Sequence, residues 1–192
     1  MSTFRVAEGY LKIQQDVQDY MDYFKYPYWD ENTKLLKLDE ECGELAREIA
    51  KAGKHQVKKG TPEMGQELSD VLFALVCIAN PNQIRLAHEY NNQLRIITDA
   101  PKIKTLNDIQ SHIRKDSSIM TSYRNLAIAR GKLAEEEKPK QQYHTGKIGE
   151  YLVECVTNVA AISQYSNLNL QKEWNAKMEI RYGRDKGRFK QA

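Results

Sequence analysis

The chain is 192 residues long, with 29% charged and 41% hydrophobic residues, ten glycines, five prolines and a formal net charge of +3. This length can bury one compact core or two small similar ones, and the composition favours an all-α protein over a sandwich, a barrel or a disordered chain. The longest apolar run, Val71 to Ala79, is about half of what a bilayer requires, and the N-terminus has no apolar core of signal-peptide length, so we expect a cytoplasmic protein with no membrane partner.

The first half of the chain is predicted to contain four helices. Apolar residues recur at helical spacing over residues 6–24, 32–52, 63–80 and 86–98. Pro27 ends the first helix, and Asp30 or Asn32 caps the second. Pro62 starts the third helix. From Val71 onward this third helix is apolar on every side, so we expect it to lie buried at the centre of the fold.

The second half of the chain repeats this plan at a shift of 84 residues. Residues 84–94 align with residues 168–178, and residues 69–79 align with residues 153–163. Two amphipathic helices can also agree by chance, because helical heptads mimic repeats. We adopt the duplication, which predicts eight helices in two four-helix halves packed as an internal pseudo-dimer.

The two halves differ in charge. Residues 1–100 carry 12 basic and 16 acidic residues, whereas residues 101–192 carry 17 basic and 10 acidic residues, so their net charges are −4 and +7. An acidic half suits cations and a basic half suits anions. We therefore expect the first half to bind a metal and the second to supply basic phosphate-binding residues.

Cysteine and histidine chemistry is not indicated. The cysteines are odd in number, none lies in a CxxC pair, and the histidines lack the spacing of a helical metal site. Each cysteine falls inside a predicted helix, where a free thiol behaves as a small apolar side chain: these are Cys42, Cys77 and Cys155.

Two acidic pairs lie on consecutive predicted helices. Glu41 and Glu44 are three residues apart on the second helix, and Glu67 and Asp70 have the same spacing on the third. At this spacing each pair projects from one face of its helix. Asp70 directly precedes the apolar run, where an unpaired carboxylate is costly, so it must be protonated, ion-paired or bound to a metal.

A divalent cation would resolve the repulsion among four converging carboxylates. Ligation by carboxylate oxygens, with positions open for water and phosphate, is preferred by Mg²⁺, and Mn²⁺ can substitute. The alternative is a solvated acidic face with ion pairs to Arg47 and Lys51, which is the interpretation that we favour for Glu40 and Glu48.

These motifs resemble the signature of the all-α nucleoside triphosphate pyrophosphohydrolases, the MazG family and its relatives. The family's double acidic motif is matched by the two pairs, which 22 residues separate. Residues 29–33, which read Trp-Asp-Glu-Asn-Thr, are similar to its Trp-Asp-x-x-Gln-Thr segment with Asn in place of Gln. Residues 175–182, which read Asn-Ala-Lys-Met-Glu-Ile-Arg-Tyr, are similar to its closing helix.

The resemblance implies a four-helix MazG-like bundle and a Mg²⁺-dependent hydrolase of acid anhydrides. Such an enzyme cleaves a nucleoside triphosphate to monophosphate and pyrophosphate, as in clearing the nucleotide pool. By matching positions, the implied metal ligands are Glu41, Glu44, Glu67 and Asp70. Lys177 and Arg181 would bind phosphate oxygens. The implied catalytic set is Glu41, Glu44, Lys177 and Arg181.

The second half departs from the family pattern. If the duplication is real, the four ligand positions correspond to Asn125, Ile128, Tyr151 and Glu154, so one acid of four remains. Conversely, Lys177 and Arg181 correspond to Gln93 and Ile97 in the first half, where the basic pair is missing. We therefore expect one composite site, with the metal on residues 41–70 and the phosphate contacts on the final helix.

Substrate-binding candidates lie around these motifs. Tyr28 and Trp29 sit in a turn where they either stack on a nucleobase or close the start of the second helix. Lys54, with Lys58 and Lys59, either draws in triphosphate or belongs to a solvated loop. The candidate substrate-binding set is Trp29, Lys54, Asn175, Lys177 and Arg181.

Other functions stay open at this level. One is a non-catalytic helical scaffold or nucleotide-sensing module with a structural ion, and another is the related phosphoribosyl-ATP pyrophosphatase fold acting on a different substrate. The basic tail over residues 181–190 contains Arg, Lys and aromatic residues, but no nucleic-acid module accompanies it, so we expect no stable nucleic-acid partner. We expect a nucleoside triphosphate substrate and a homo-oligomer of pseudo-dimers. The base and sugar preference is left open.

Overall fold

A computed structural model describes residues 10–54, 60–95, 103–113, 117–136 and 145–186. Every regular element in these residues is an α-helix, which confirms the all-α prediction. The eight helices are α1 (Lys12–Phe24), α2 (Glu31–Lys54), α3 (Pro62–Ala79), α4 (Leu86–Arg95), α5 (Leu106–His112), α6 (Ile119–Glu136), α7 (Thr145–Tyr165) and α8 (Leu170–Lys186).

The helix ends follow the capping chemistry of the sequence. Asp30 accepts hydrogen bonds from the backbone N–H of Asn32 and of Thr33, both at 3.0 Å, and therefore caps α2. Thr61 caps α3 by accepting from the N–H of Met64 at 3.2 Å. We predicted that α1 begins at residue 6. In the described residues it begins at Lys12, because Leu11 has extended backbone angles, so the predicted start is wrong.

The two most apolar helices, α3 and α7, form the centre of the fold and pack against each other. Around α3 lie α1, α2 and α8, and around α7 lie α5, α6 and α4. Every residue from Leu68 to Ala79 is buried, as predicted for the apolar run. In terms of the predicted halves, the fourth helix of each half packs on the central helix of the other, α4 on α7 and α8 on α3, and we call this arrangement the exchange of α4 and α8.

A glutamine clamp is repeated in the two halves. In the first half, the Gln14 side chain donates to the carbonyl of Ile84 at 2.8 Å and accepts from the N–H of Leu86 at 3.0 Å. In the second half, Gln110 donates to Leu168 at 2.7 Å and accepts from Leu170 at 3.1 Å. The residues that precede the clamped carbonyls have left-handed φ angles of 55° and 54°, at Gln83 and Asn167. The same turn is therefore built twice.

The buried faces of α2 and α6 also follow one pattern. The buried apolar positions of α2 are Leu38, Cys42, Leu45 and Ile49, and the buried positions of α6 are Ser122, Leu126, Ala129 and Leu133. Each member of the second set lies 84 residues after its counterpart in the first. This agreement supports the alignment used for the second half and the predicted repeat.

Two glycines lie where the exchanged helices pack closely against the central helices. A Cβ atom added at Gly65 of α3 would lie 2.5 to 2.8 Å from three side-chain atoms of Glu173 on α8. A Cβ added at Gly149 of α7 would lie 3.0 Å from the Cγ of Glu89 on α4. The two pairs are again related by 84 residues. Small residues are thus placed where α8 and α4 cross the central helices.

The remaining sequence expectations concern membranes and thiols. In the part of the chain that the structure describes, no helix is long and apolar enough to span a bilayer. The three cysteines are free and buried, as expected for apolar packing. The boundary between the predicted halves at residues 100 and 101 lies outside the described residues.

Candidate active site

Three carboxylates meet where α2 packs against α3. Glu41 projects from α2, and Glu67 and Asp70 project from one face of α3. One oxygen atom from each of these side chains lies within 4.8 Å of the others, and we call this group the acidic cluster. Asp70 is buried, whereas Glu41 and Glu67 are half-buried and border solvent. The cluster therefore opens to the surface at one side.

Two cations of α8 contact the deepest carboxylate of the acidic cluster. The Lys177 ammonium pairs with Oδ2 of Asp70, and the Arg181 guanidinium donates to Oδ1 of the same side chain. The three side chains are only 9% to 18% exposed. Because α8 belongs to the second half and α3 to the first, residues more than 100 positions apart meet at one point.

The other two carboxylates lack comparable neutralisation. Oε2 of Glu67 is buried and finds no hydrogen-bond partner within the described residues. Burial, then the charges of Asp70 and Glu44, raises the pKa of Glu67. Burial, followed by the charge of Asp70, raises the pKa of Glu41 to about 7 although Arg181 opposes the shift. The cluster thus holds more negative charge than its protein partners compensate.

The remaining acids of α2 lie outside the acidic cluster. Glu44 is 40% exposed and pairs with Arg47 at 3.2 Å, so the structure does not bring it into the group of three. Glu40 pairs with Lys37, and Glu48 pairs with Lys51 at 2.6 Å. The surface ion pair predicted for Glu40 is therefore confirmed. Glu48 forms an ion pair as well, but its side chain is only 8% exposed, so the prediction that it lies on a solvated face is wrong. Glu44 still acts on the cluster through its charge, since it contributes to the raised pKa of both Glu41 and Glu67.

An aromatic pocket adjoins the acidic cluster. The Arg181 guanidinium lies over the Phe73 ring, 3.9 Å from its centroid, and so has one edge at Asp70 and its plane on an aromatic face. A cavity of about 260 Å³ begins there, and it is lined by Tyr20, Met21, Tyr26, Pro27, Trp29, Phe73, Arg181, Arg184 and Asp185. Arg181 and Phe73 therefore link the pocket to the acidic cluster.

One wall of the aromatic pocket is charged. Asp185 is 2% exposed and accepts from Arg184 at 2.6 and 2.8 Å, and the Tyr20 hydroxyl also donates to it. Burial and then the hydrogen bond to Asp185 raise the pKa of Tyr20. Because the Tyr20 hydroxyl donates its only proton to Asp185, its oxygen can take part in further hydrogen bonds only as an acceptor.

The other predicted substrate-binding residues lie at different places. Trp29 is half-buried and lines the aromatic pocket. Its ring packs edge-on to that of Phe73, with 6.3 Å between the ring centroids. Asn175 accepts from Gln171 at 3.0 Å and faces a separate groove between α1 and α8, away from the acidic cluster. Lys54 ends α2, and its side chain, like Lys58 and Lys59, lies outside the described residues.

The equivalent positions in the second half form no acidic cluster. Lys132 lies 3.9 Å from a Glu154 oxygen and 5.4 Å from the centre of the Tyr151 ring. Ile128 is 51% exposed and Asn125 is exposed. Ile97, the counterpart of Arg181, lies outside the described residues. The described ligand positions of this half therefore offer one carboxylate next to a lysine, which is a poor site for a divalent cation.

Three functional candidates were missed by the sequence analysis. Phe73 lies three residues after Asp70 on α3, and its aromatic ring in an aliphatic run was the available signal. Tyr20 lies within the predicted helix over residues 6–24, and nothing in its spacing distinguished it from the other apolar residues of that helix. Asp185 was hidden in a basic tail that reads as solvated, and only the fold shows that it is buried.

The residues of the acidic cluster fit a divalent cation. Their donors are all carboxylate oxygens, the ligands that Mg²⁺ and Mn²⁺ take in proteins. Oε2 of Glu67 is buried without a partner among the described residues, and the pKa of Glu41 is raised, so both side chains carry negative charge that a cation would offset. The residues that would hold the ion are Glu41, Glu67 and Asp70, with Glu44 at the edge.

Comparisons with known proteins match the region of the chain that carries the acidic cluster. Residues 30–94 match the MazG nucleotide pyrophosphohydrolase domain. An uncharacterized protein of Bacillus subtilis (strain 168), YpjD, is 37% identical over 91 residues, which cover 42% of this chain and 82% of the relative. No solved structure gave a significant match. Since the match spans most of the relative and includes the helices of the acidic cluster, the chain belongs to the MazG nucleotide pyrophosphohydrolase family.

Proposed function

We propose that this protein is a Mg²⁺-dependent nucleoside triphosphate pyrophosphohydrolase that releases a nucleoside monophosphate and pyrophosphate. The observation that carries the proposal is the meeting of three carboxylates and two cations at one point, where α2, α3 and α8 converge. Family membership supports the reaction type. The substrate and the metal are inferred from the chemistry of the site.

Each part of the site would act on a different part of the substrate. A divalent cation on the acidic cluster would offset phosphate charge and lower the pKa of a bound water. Lys177 and Arg181 would hold the phosphate oxygens of the leaving pyrophosphate. Trp29 and Phe73 would receive the base in the aromatic pocket, whose volume of about 260 Å³ suits a nucleobase.

Glu41 is suited to receive a proton during the reaction. Water would add to a phosphorus atom of the α–β bridge, the P–O bond to the bridging oxygen would break, and one proton of the water must leave. Glu41 borders solvent at the edge of the acidic cluster, and an oxygen of its carboxylate that does not bind the ion would accept that proton. The side chain would then release this proton to solvent through its half-exposed edge.

We also propose that each chain carries one such site, because three of the four positions in the second half that correspond to the metal ligands are not carboxylates. Asn125, Ile128 and Tyr151 cannot ligate a hard cation as carboxylates do. The second half would instead supply Lys177 and Arg181. A homo-oligomer of such chains would then hold one site per chain rather than two.

A substrate panel tests the proposal. Purified protein would be incubated with the common ribo- and deoxyribonucleoside triphosphates in Mg²⁺, with a chelator control, and the products separated by anion exchange. We expect monophosphate and pyrophosphate in equal amounts, and none with the chelator. Lys177→Ala and Arg181→Ala should each raise KM or lower kcat. Diphosphate and phosphate as products, or binding without turnover, would contradict the proposal, and the latter would favour a nucleotide sensor.

A further inference from the structure

Asp70 takes part in two sets of interactions that conflict with each other. It is a member of the acidic cluster, where its oxygens lie within 4.8 Å of those of Glu41 and Glu67. It is also the anion that both Lys177 and Arg181 contact, one cation on each carboxylate oxygen. A cation entering the cluster would therefore approach a carboxylate whose charge is already compensated twice.

We propose that Lys177 and Arg181 compete with the metal for Asp70, so that the metal and a phosphate group bind this site cooperatively. This inference rests on the proposed function of the same site. In the free protein the two cations repel an incoming divalent ion and occupy its ligand. A phosphate group gives both cations a new anionic partner, and the oxygens of Asp70 then become available.

The surroundings of the two cations permit this exchange. Lys177 has a flexible stem and three donors, so it can turn from Asp70 without moving α8. Arg181 rests on the Phe73 ring at 3.9 Å, and its Nε is buried without a hydrogen-bond partner in the described part of the chain. The planar guanidinium therefore retains donors for a phosphate while its ring contact keeps it in place.

The rest of the acidic cluster already favours the metal. Glu67 keeps a buried oxygen without a partner among the described residues, and an oxygen of Glu41 lies within 4.8 Å of a carboxylate oxygen of Glu67. Removal of the competing cations should then increase metal affinity, although it removes the residues that bind substrate. Competition therefore predicts that removal of these cations raises metal affinity and lowers substrate affinity, whereas simple damage to the site would lower both.

Mn²⁺ binding to the full chain without nucleotide tests the proposal by electron paramagnetic resonance, which reports free Mn²⁺. The variants are Lys177→Gln, Arg181→Gln and the double variant, with Lys172→Gln as the matched control for loss of one α8 charge. We expect the double variant to bind Mn²⁺ at least tenfold more tightly than the wild type, each single variant to fall between them, and the control to stay near the wild type. Asp70→Asn added to the double variant should abolish the gain.

Several results would overturn the proposal. One is a folded double variant that binds Mn²⁺ no more tightly than Lys172→Gln, and another is a gain that survives Asp70→Asn. If the double variant does not fold, as judged by circular dichroism, unchanged affinity in both single variants decides against it. Inorganic phosphate should raise the Mn²⁺ affinity of the wild type but not of the double variant, and an equal effect on both would also count against it.

The test separates this inference from the proposed function. Unchanged Mn²⁺ affinities in a wild type that hydrolyses triphosphates would overturn the competition alone. The expected affinities in a protein that hydrolyses no triphosphate would overturn the enzymatic function and leave the competition at Asp70 established.

Discussion

Gly65 of α3 lies directly against the side chain of Glu173 on α8, so closely that a methyl group at Gly65 would meet the glutamate at 2.5 Å. Their counterparts Gly149 and Glu89 make the reciprocal contact between α7 and α4. These contacts set how near α8 comes to α3. The position of α8 in turn decides whether Lys177 and Arg181 reach Asp70.

Gly65→Ala is expected to gain less stability than the roughly 1 kcal/mol of helix propensity that Ala gains over Gly at an open site, because the Glu173 side chain must move aside. Glu173→Ala should relieve the crowding, so the double variant should be more stable than Gly65→Ala. Gly131→Ala on α6 is the control, since a Cβ there has nothing within 4 Å, and it should stabilise. Urea unfolding measures all four. Additive effects of Gly65→Ala and Glu173→Ala would show that the two residues do not interact.

Glu67→Gln and Asp70→Asn should affect stability in opposite directions while both reduce hydrolysis roughly a hundredfold or more. Neutral Gln at position 67 removes repulsion from a buried oxygen without a described partner, so the metal-free melting temperature should rise by about 2–4 °C. Asn at position 70 leaves two cations without their anion, and the cost should approach ~3 kcal/mol.

Calorimetry in chelator, beside product analysis in Mg²⁺, tests this pair of variants. Glu150→Gln, at an exposed position of α7 away from the acidic cluster, is the matched control and should change neither quantity. A rise in melting temperature for Asp70→Asn would contradict the view that its two ion pairs stabilise the free protein.

The pH dependence of stability should carry the signature of Glu41. Its pKa is raised from 4.5 to about 7 in the folded protein, so the folded state binds more protons than the unfolded state between these values. Metal-free stability should therefore fall as pH rises from about 4.5 to about 7. Apparent Mg²⁺ affinity should rise over the same range, since the ion requires the ionised carboxylate.

Glu41→Gln should remove the contribution of this group to both pH slopes. Chemical unfolding at several pH values, with and without Mg²⁺, supplies the measurement. A variant that keeps the full wild-type slopes would assign them to another group, and Glu67, whose pKa is also raised, is the next candidate.

Trp29→Ala should weaken binding of the nucleoside part of the substrate. Loss of a stacking face costs about 1–3 kcal/mol, so the Kd of a nucleoside triphosphate should rise by roughly fivefold to a hundredfold. Binding of inorganic tripolyphosphate, which has no base, should be unchanged. Calorimetric titration of both ligands tests the assignment. Equal losses for the two would mean that Trp29 supports the fold rather than the base.

The sequence predicted the helices and the acidic residues well because both depend on local spacing. Glu41, Glu67 and Asp70 were identified from periodicity and from the apolar run that follows Asp70. From the charge split and the family resemblance we expected only that Lys177 and Arg181 share a site with Asp70, and their direct contact with its carboxylate was not predicted. No local rule places residues of α3 and α8 side by side.

Two features of the site depend on packing that the sequence does not encode locally. Glu44 was grouped with the metal ligands by its spacing, but the rotation of α2 leaves it 40% exposed beside Arg47. Asn175 belongs to the same motif as Lys177, yet two residues of helix rotate it by about 200°, to a different face of α8. Motif membership therefore did not determine which side chains meet.

The exchange of α4 and α8 has a consequence for synthesis on the ribosome. α3 is complete after residue 79, but among the helices that pack on it are α7 and α8, and α8 ends at residue 186. Nearly the whole chain must therefore be translated before the central apolar helix is shielded from water. Such long-range closure makes folding slow and leaves the nascent first half open to aggregation or chaperone binding.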